Sequence, residues 1–244
     1  MNGTLARLAM ASLGLAAVCL VAGYSMAGPE WRHDGWHRGW FWPSVWRACA
    51  ETPQGSAGQP DTITLPWQST GSLRIEIPAH VDYRPGEPAQ AVISGDPSII
   101  AHVRLADGVL TSDDDGDCFS WERPVTVRLT GGPVAEWKLS GSAALVLNAV
   151  AQPTLAVDMS GSGEVSANGK VDRLNVKMSG SAEADLSRLA TNSASVRLSG
   201  SGQVEIAPSS EADLHMSGSG VVKVHGTPTI RSHVSGSARI EQVP

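Results

Sequence analysis

The feature that most constrains this chain is a triplet, Ser-Gly-Ser, that occurs six times in its second half, starting at Ser140, Ser160, Ser179, Ser199, Ser217 and Ser235. The intervals are 20, 19, 20, 18 and 18 residues. Isolated Gly/Ser runs serve as flexible linkers, but a nearly fixed period of about 19 residues is the mark of a solenoid, in which each repeat is one coil and cannot bury its apolar face alone.

Aligning the coils on the first Ser assigns a role to each column. One residue before it stand Leu139, Met159, Met178, Leu198, Met216 and Val234. Three before it stand Trp137, Val157, Val176, Val196 and Leu214, with Ser232 as the exception. These columns face inward. The column between them, Lys138, Asp158, Lys177, Arg197, His215 and His233, is polar throughout, as an outward face with period two requires. Three residues past the first Ser the column is small (Ala143, Gly163, Ala182, Gly202, Gly220, Ala238). Five past it the column is Leu145, Val165, Ala184, Val204, Val222 and Ile240. A small inward residue lets the wall turn without overfilling the interior, and Gly permits the bend. The triplet is therefore the same bend made at the same place in every turn. Its serines, Ser140, Ser142, Ser160, Ser162, Ser179, Ser181, Ser199, Ser201, Ser217, Ser219, Ser235 and Ser237, fall on the outward parity. Stacked at about 4.8 Å, they predict two hydroxyl ladders in which each Ser can donate to the next.

Upstream, LRIEI at 73–77, QAVIS, AHVRL, GVLTS and PVTVRL read as short strands bounded by Pro, Gly and Asp, and no amphipathic helix is evident after residue 50. The expected class is all-β, a single-stranded parallel β-helix over residues 62–244. The stretches KLSGSAAL, DMSGSGEV, KMSGSAEA, RLSGSGQV, HMSGSGVV and HVSGSARI resemble the bacterial family of the putative auto-transporter adhesin head GIN domain. The segment SLRIEIPAHVDYRPGEPAQAVISGDPSIIAHVRLADGVLTS is similar to that family's opening strands, so the resemblance spans roughly residues 70–243. It implies a right-handed helix exported to the periplasm or cell surface, and it brings no active-site residues.

Residues 1–27 read as an export signal. Arg7 precedes an apolar run from Leu8 to Ala27, and Ser25-Met26-Ala27 offers a cleavage site before Gly28. The alternative is an uncleaved anchor over residues 8–27, since roughly 20 apolar residues can span a bilayer. Residues 28–61 hold a Trp-rich segment and a Pro/Gly linker. Five of the eight tryptophans lie in 31–50, a composition suited either to a membrane interface or to packing on the end of the domain. Removal of the signal takes Cys19 with it and leaves Cys49 and Cys118, either a disulfide in an oxidising compartment or two thiols.

A net charge of −6 argues against nucleic acid as a partner. The chain has no CxxC, HExxH, GxSxG or P-loop, and no cofactor is expected. Asp113, Asp115 and Asp117 alternate as hard-cation ligands do but lack the distal Glu of an EF-hand, so a solvated acidic turn is preferred. His215 and His233 share a column without an obvious third ligand, so no metal is assigned. Glu164 and Glu183 stack as a glycosidase pair would, but their column continues as Gln203 and Val221. The serine columns remain as the one regular chemical surface, with a structural role preferred and glycan binding as the alternative. The expected function is that of an exported, non-catalytic binding or adhesion module of the cell envelope, with envelope polysaccharide or surface glycan as partner and homo-oligomers open. A polysaccharide-acting hydrolase or lyase is the alternative, and a scaffold that docks a membrane protein through residues 31–50 is a third.

Overall fold

The alternation of apolar and polar columns becomes a stack of parallel strands in the computed structural model, which describes residues 60–113 and 124–244. Four long strands each carry a whole coil: β9 (Ala144–Gly161), β10 (Glu164–Gly180), β11 (Glu183–Gly200) and β12 (Gln203–Gly218). Each starts just past one triplet and ends on the glycine of the next. Before them lie β1 (Asp61–Pro66), β2 (Ser72–Ile75), β3 (Ala79–Pro85), β4 (Gln90–Gly95), a single helical turn α1 (Pro97–Ile100), β5 (Val103–Ala106), β6 (Val109–Ser112), β7 (Val125–Gly131) and β8 (Glu136–Gly141). After them β13 (Val221–His225) and β14 (Thr229–Gly236) lie on the two halves of β12, and β15 (Arg239–Val243) lies on β13. The result is a parallel β-solenoid of about five turns with a spacing of about 20 residues, as the repeat predicts.

Register follows the triplets. Ser140 pairs with Ser160, Ser160 with Ser179, Ser179 with Ser199, Ser199 with Ser217 and Ser217 with Ser235. The inward columns enforce this register. Trp137, Val157, Val176, Val196 and Leu214 are buried, as are Leu139, Met159, Met178, Leu198 and Met216. Burying one such side chain stabilises by about 1.5–3 kcal/mol, and a slip of one residue would turn every column outward. Tyr83 meets Trp137 at 5.1 Å between ring centroids, tilted by 60°, and so joins the first coil to the strands before it.

The bend lies at the central glycine of each triplet. Gly141, Gly161, Gly180, Gly200, Gly218 and Gly236 have φ between 78° and 121°, a region that disfavours any side chain. From the second coil onward they also touch the turn before: a Cβ on Gly161 would stand 2.5 Å from the carbonyl oxygen of Gly141. The amide after the glycine closes the stack, with Ser162 N–H donating to Gly141 O and Ser181 N–H to Gly161 O, both at 2.9 Å. A second bend is held by side chains. Asn168 Nδ2 donates to Asn148 Oδ1 at 3.1 Å and Asn148 Nδ2 to Asp82 Oδ1 at 3.0 Å, a short amide ladder across three coils.

The two ends differ. At the N-terminal end antiparallel pairs close both walls, β1 on β4 and β4 on β7 on one side, β5 on β6 on the other. At the other end β14 and β15 form the last coil, where Val234 is 42% exposed and Ser232 occupies the inward column in the open. Polar Ser232 suits this exposed position.

Two sequence expectations need correction. AHVRL is not one strand, because the chain makes α1 first: Asp96 caps it, its Oδ1 accepting from Ser98 N–H at 3.0 Å, with Pro97 in the first turn, so β5 starts only at Val103. Nor do the serine hydroxyls form hydrogen-bonded ladders. Among the described residues the bonds at the triplets run between backbone groups, and none joins one triplet hydroxyl to the next.

Residues 1–27, read from sequence as an export signal, the segment at 31–50, Cys49, Cys118, Asp115 and Asp117 lie outside the described residues. Among the described residues no helix is long and apolar enough to cross a membrane.

Candidate groove along the first serine column

Each coil enters its triplet along one wall and leaves along another, and the two walls differ in chemistry. The entering wall consists of β8, the ends of β9–β12, and β14, and it carries an open groove of about 610 Å³. Ser179, Ser199, Ser217 and Ser235, the first serines of four successive triplets, line it. The residues two positions earlier, Asp158, Lys177, Arg197, His215 and His233, stand beside them, and Met178, Leu198 and Met216 complete the lining. Strand geometry explains the pairing of columns: residues two apart project from the same face.

All twelve triplet serines are exposed. The structure brings the first serines of the later coils into the groove and leaves Ser140, Ser160 and the second serine of each triplet outside its lining. Their hydroxyls face solvent and are not satisfying buried groups, which is the structural role the sequence favoured.

The flanking column is unevenly paired. Lys138 Nζ lies 3.0 Å from Glu136 and His215 Nδ1 lies 3.6 Å from Asp213 Oδ1, and in the column two residues earlier Arg231 pairs with Glu211. Lys177 and Arg197 form no close ion pair among the described residues, although Asp158 stands directly opposite Lys177 on the preceding coil. Register sets them directly opposite each other on adjacent coils. Arg197 has only the Ser195 hydroxyl, at 3.5 Å. His215 and His233 follow on the next two coils with ring centroids 6.2 Å apart, and no group of three or more potential metal ligands exists among the described residues. Sequence reasoning recorded this column as merely polar. The signal it passed over was four basic side chains in succession on a chain whose net charge is −6.

The leaving wall is acidic. Glu164 and Glu183 are paired in register and exposed, and Gln203 and Val221 continue their column. One column further, Lys223 Nζ lies 2.8 Å from Glu205 Oε1, and His225 Nε2 is 3.4 Å from Glu205 Oε2. The Lys223 ammonium holds the Glu205 carboxyl below the usual carboxylate range, and Glu205 raises Lys223 in return. Asp185 is lowered too, chiefly by the Ser187 hydroxyl, which donates to Oδ1 at 2.6 Å. Each charge has its partner within the stack, so this cluster holds coils together.

Residues 125–228 match the family described as "Putative auto-transporter adhesin, head GIN domain". The head GIN region so defined runs from β7 through β12 and β13, and it contains five of the six triplets and most of the groove. It is narrower than the span 70–243 read from sequence: the strands before β7 and the sixth triplet lie outside it. Among solved structures, a putative adhesin from Bacteroides fragilis aligns over 76% of this chain and 97% of its own, with a TM-score of 0.61 at 15% identity. A putative adhesin and a putative lipid binding protein, both from Parabacteroides distasonis, align with TM-scores of 0.47 and 0.46, each at 15% identity. They cover 76% and 77% of this chain and 98% of their own. At such identity the likeness is one of fold. No curated protein matches the chain.

Proposed function

We propose that this chain is an exported, non-catalytic binding module of the cell envelope or cell surface, and that its ligand lies in the groove along Ser179, Ser199, Ser217 and Ser235. The observation that carries this reading is repetition: the groove offers the same donor and acceptor at four successive coils, in register, to whatever lies along it. A surface with a period of one coil suits a ligand that is itself a polymer. Glycans of the envelope or of another cell are polymers rich in hydroxyl groups that exchange hydrogen bonds with serine. The match of residues 125–228 to an adhesin-named family agrees with a surface role.

A hydrolase or lyase reading would rest on Glu164 and Glu183. Both stand on the leaving wall, past the glycine bend and apart from the groove lining, and this separation supports the groove reading over the catalytic one. The segment at 31–50 would add contact with a membrane interface, and the open last coil would be where copies associate.

The test is a binding screen of the full exported protein against envelope polysaccharides and surface glycans, with soluble products assayed in parallel. Saturable binding without products, abolished by Ser199→Tyr, which fills the groove, is the expected result. Release of products, lost in Glu164→Gln, would replace this reading with an enzymatic one.

A further inference from the structure

We infer that the groove selects a linear acidic polysaccharide, one with carboxylate or sulfate groups along its length, and that Lys177 and Arg197 are the residues that read the charge. The inference rests on the groove reading above and names its ligand class.

The argument starts from a cost. Parallel register puts Lys177 on β10 directly across from Arg197 on β11, one strand spacing away, and like charges opposed in this way destabilise a sheet. Elsewhere the same wall neutralises its cations: Lys138 with Glu136, and Arg231 with Glu211. At Lys177 and Arg197 it supplies no carboxylate two residues earlier, where Asn175 and Ser195 stand in place of the Glu136 and Asp213 of other coils; Asp158 stands directly across from Lys177 on the preceding coil, and Arg197 has no such neighbour. Arg197 faces Lys177 on one side and His215 on the other, so this exposed cation in the middle of the groove has no carboxylate across from it and is complementary to an external anion. Asp158, one coil before Lys177, ends the basic run on that side, and His215 and His233 extend it on the other.

The geometry narrows the anion. The basic side chains and the serine hydroxyls form parallel columns two residues apart, so the ligand meets charge along one edge and hydroxyl along the other. A planar guanidinium accepts a carboxylate or sulfate through two parallel hydrogen bonds, and the ammonium of Lys177 serves as a point charge beside it. A sugar chain carrying acid groups and free hydroxyls presents both chemistries in one repeat, and a linear one continues from coil to coil. The leaving wall, with Glu164 and Glu183 exposed, would repel the same polymer, which confines it to the groove.

The experiment compares polygalacturonate with its methyl ester, the same backbone without charge, and dextran sulfate with dextran, using the full exported protein in a low-salt buffer. Expected are binding to polygalacturonate or dextran sulfate at least tenfold tighter than to the uncharged counterpart, and weakening as salt is added. Which of the two binds better assigns the acid as carboxylate or sulfate. The double variant K177A/R197A should lose at least tenfold in affinity, whereas Arg239→Ala, a cation on the leaving wall, should stay within twofold of the unmodified protein. Thermal unfolding provides the folding control, because K177A/R197A removes the Lys177–Arg197 opposition together with the exposed Asp158–Lys177 attraction, and the melting temperature should stay near that of the unmodified protein. Equal binding to charged and uncharged polymers, lost in Ser199→Tyr, would overturn the acidic ligand and keep the groove. Binding that survives Ser199→Tyr, or no binding to any polysaccharide, would overturn both. Capture by phosphatidylglycerol vesicles and not by the acidic polymers would overturn the polysaccharide.

Discussion

Gly141 and Gly161 occupy the same position in adjacent coils, but they meet different surroundings, and substituting each by alanine separates the two demands the triplet makes on its glycine. At Gly141 φ is 78° and a Cβ would meet nothing within 4 Å. The cost there is conformational only, about 1–2 kcal/mol for a left-handed L-residue, offset by about 0.4–1 kcal/mol because alanine restricts the unfolded chain. The net loss is then on the order of 1 kcal/mol. At Gly161 φ is 117°, and the Cβ would stand 2.5 Å from Gly141 O and 3.1 Å from Gly141 C. A conformation close to glycine-only territory costs about 1–3 kcal/mol. The clash is with backbone, which can yield only by parting two coils, and overpacking of this kind adds about 1–3 kcal/mol. With the same unfolded-state offset, Gly161→Ala should destabilise by roughly 2–5 kcal/mol. Urea unfolding followed by far-UV circular dichroism measures both variants, with the slope checked for constancy since coils can unfold separately. Equal losses for the two variants would refute the claim that close stacking of coil on coil, and not the bend alone, fixes glycine in the triplet.

Other consequences of the structure are open to measurement. Trp137→Ala should cost about 3–5 kcal/mol in urea unfolding, since the side chain is fully buried and carries the contact with Tyr83; a loss under 1 kcal/mol would mean the cap is not anchored there. Glu205 has its folded pKa below its unfolded one, so its contribution is complete above the ordinary glutamate value of about 4.3 and is lost as pH falls through the folded one. Stability of the unmodified protein should therefore fall more steeply on acidification than that of Glu205→Gln, and parallel acid limbs would contradict the Lys223–Glu205 pairing. Val234→Lys places a charge on the exposed apolar edge of the last coil and should shift any self-association measured by sedimentation towards monomer; unchanged association would locate the contact elsewhere.

How much of this was legible in the sequence depends on whether the information was periodic. The coil register, the buried columns through Val157, Val176 and Val196, and the outward serines all follow from period two within a strand and about 19 residues between strands, because every coil repeats the evidence. The cap was harder to read: it is built once, from antiparallel pairs such as β1 with β4, and the signal for α1, Asp96-Pro97-Ser98, is a single local cue that lost to an apparent strand pattern in AHVRL. The hydroxyl ladders failed for a different reason. Stacking alone puts like atoms above one another, but a hydrogen bond also needs direction, and outward-facing serines can meet solvent on every side.

The groove shows the same division between what repeats and what departs from repetition. Its serines are the regular part and were visible at once, but regularity by itself cannot distinguish a ligand surface from a stacking device. The residues that distinguish them are irregular. Asn175 and Ser195 stand where Glu136 and Asp213 stand in other coils, and that loss of two carboxylates leaves Lys177 and Arg197 without an acid on their own strand. In a solenoid the repeated residues maintain the stack, so the columns to examine for function are those in which a few adjacent coils depart together, in charge, from what the stack alone would favour. On the leaving wall the departures run the other way: Lys223 enters a column of Asp185 and Glu205 and is paired at 2.8 Å, which stabilises the stack and leaves nothing over for a ligand.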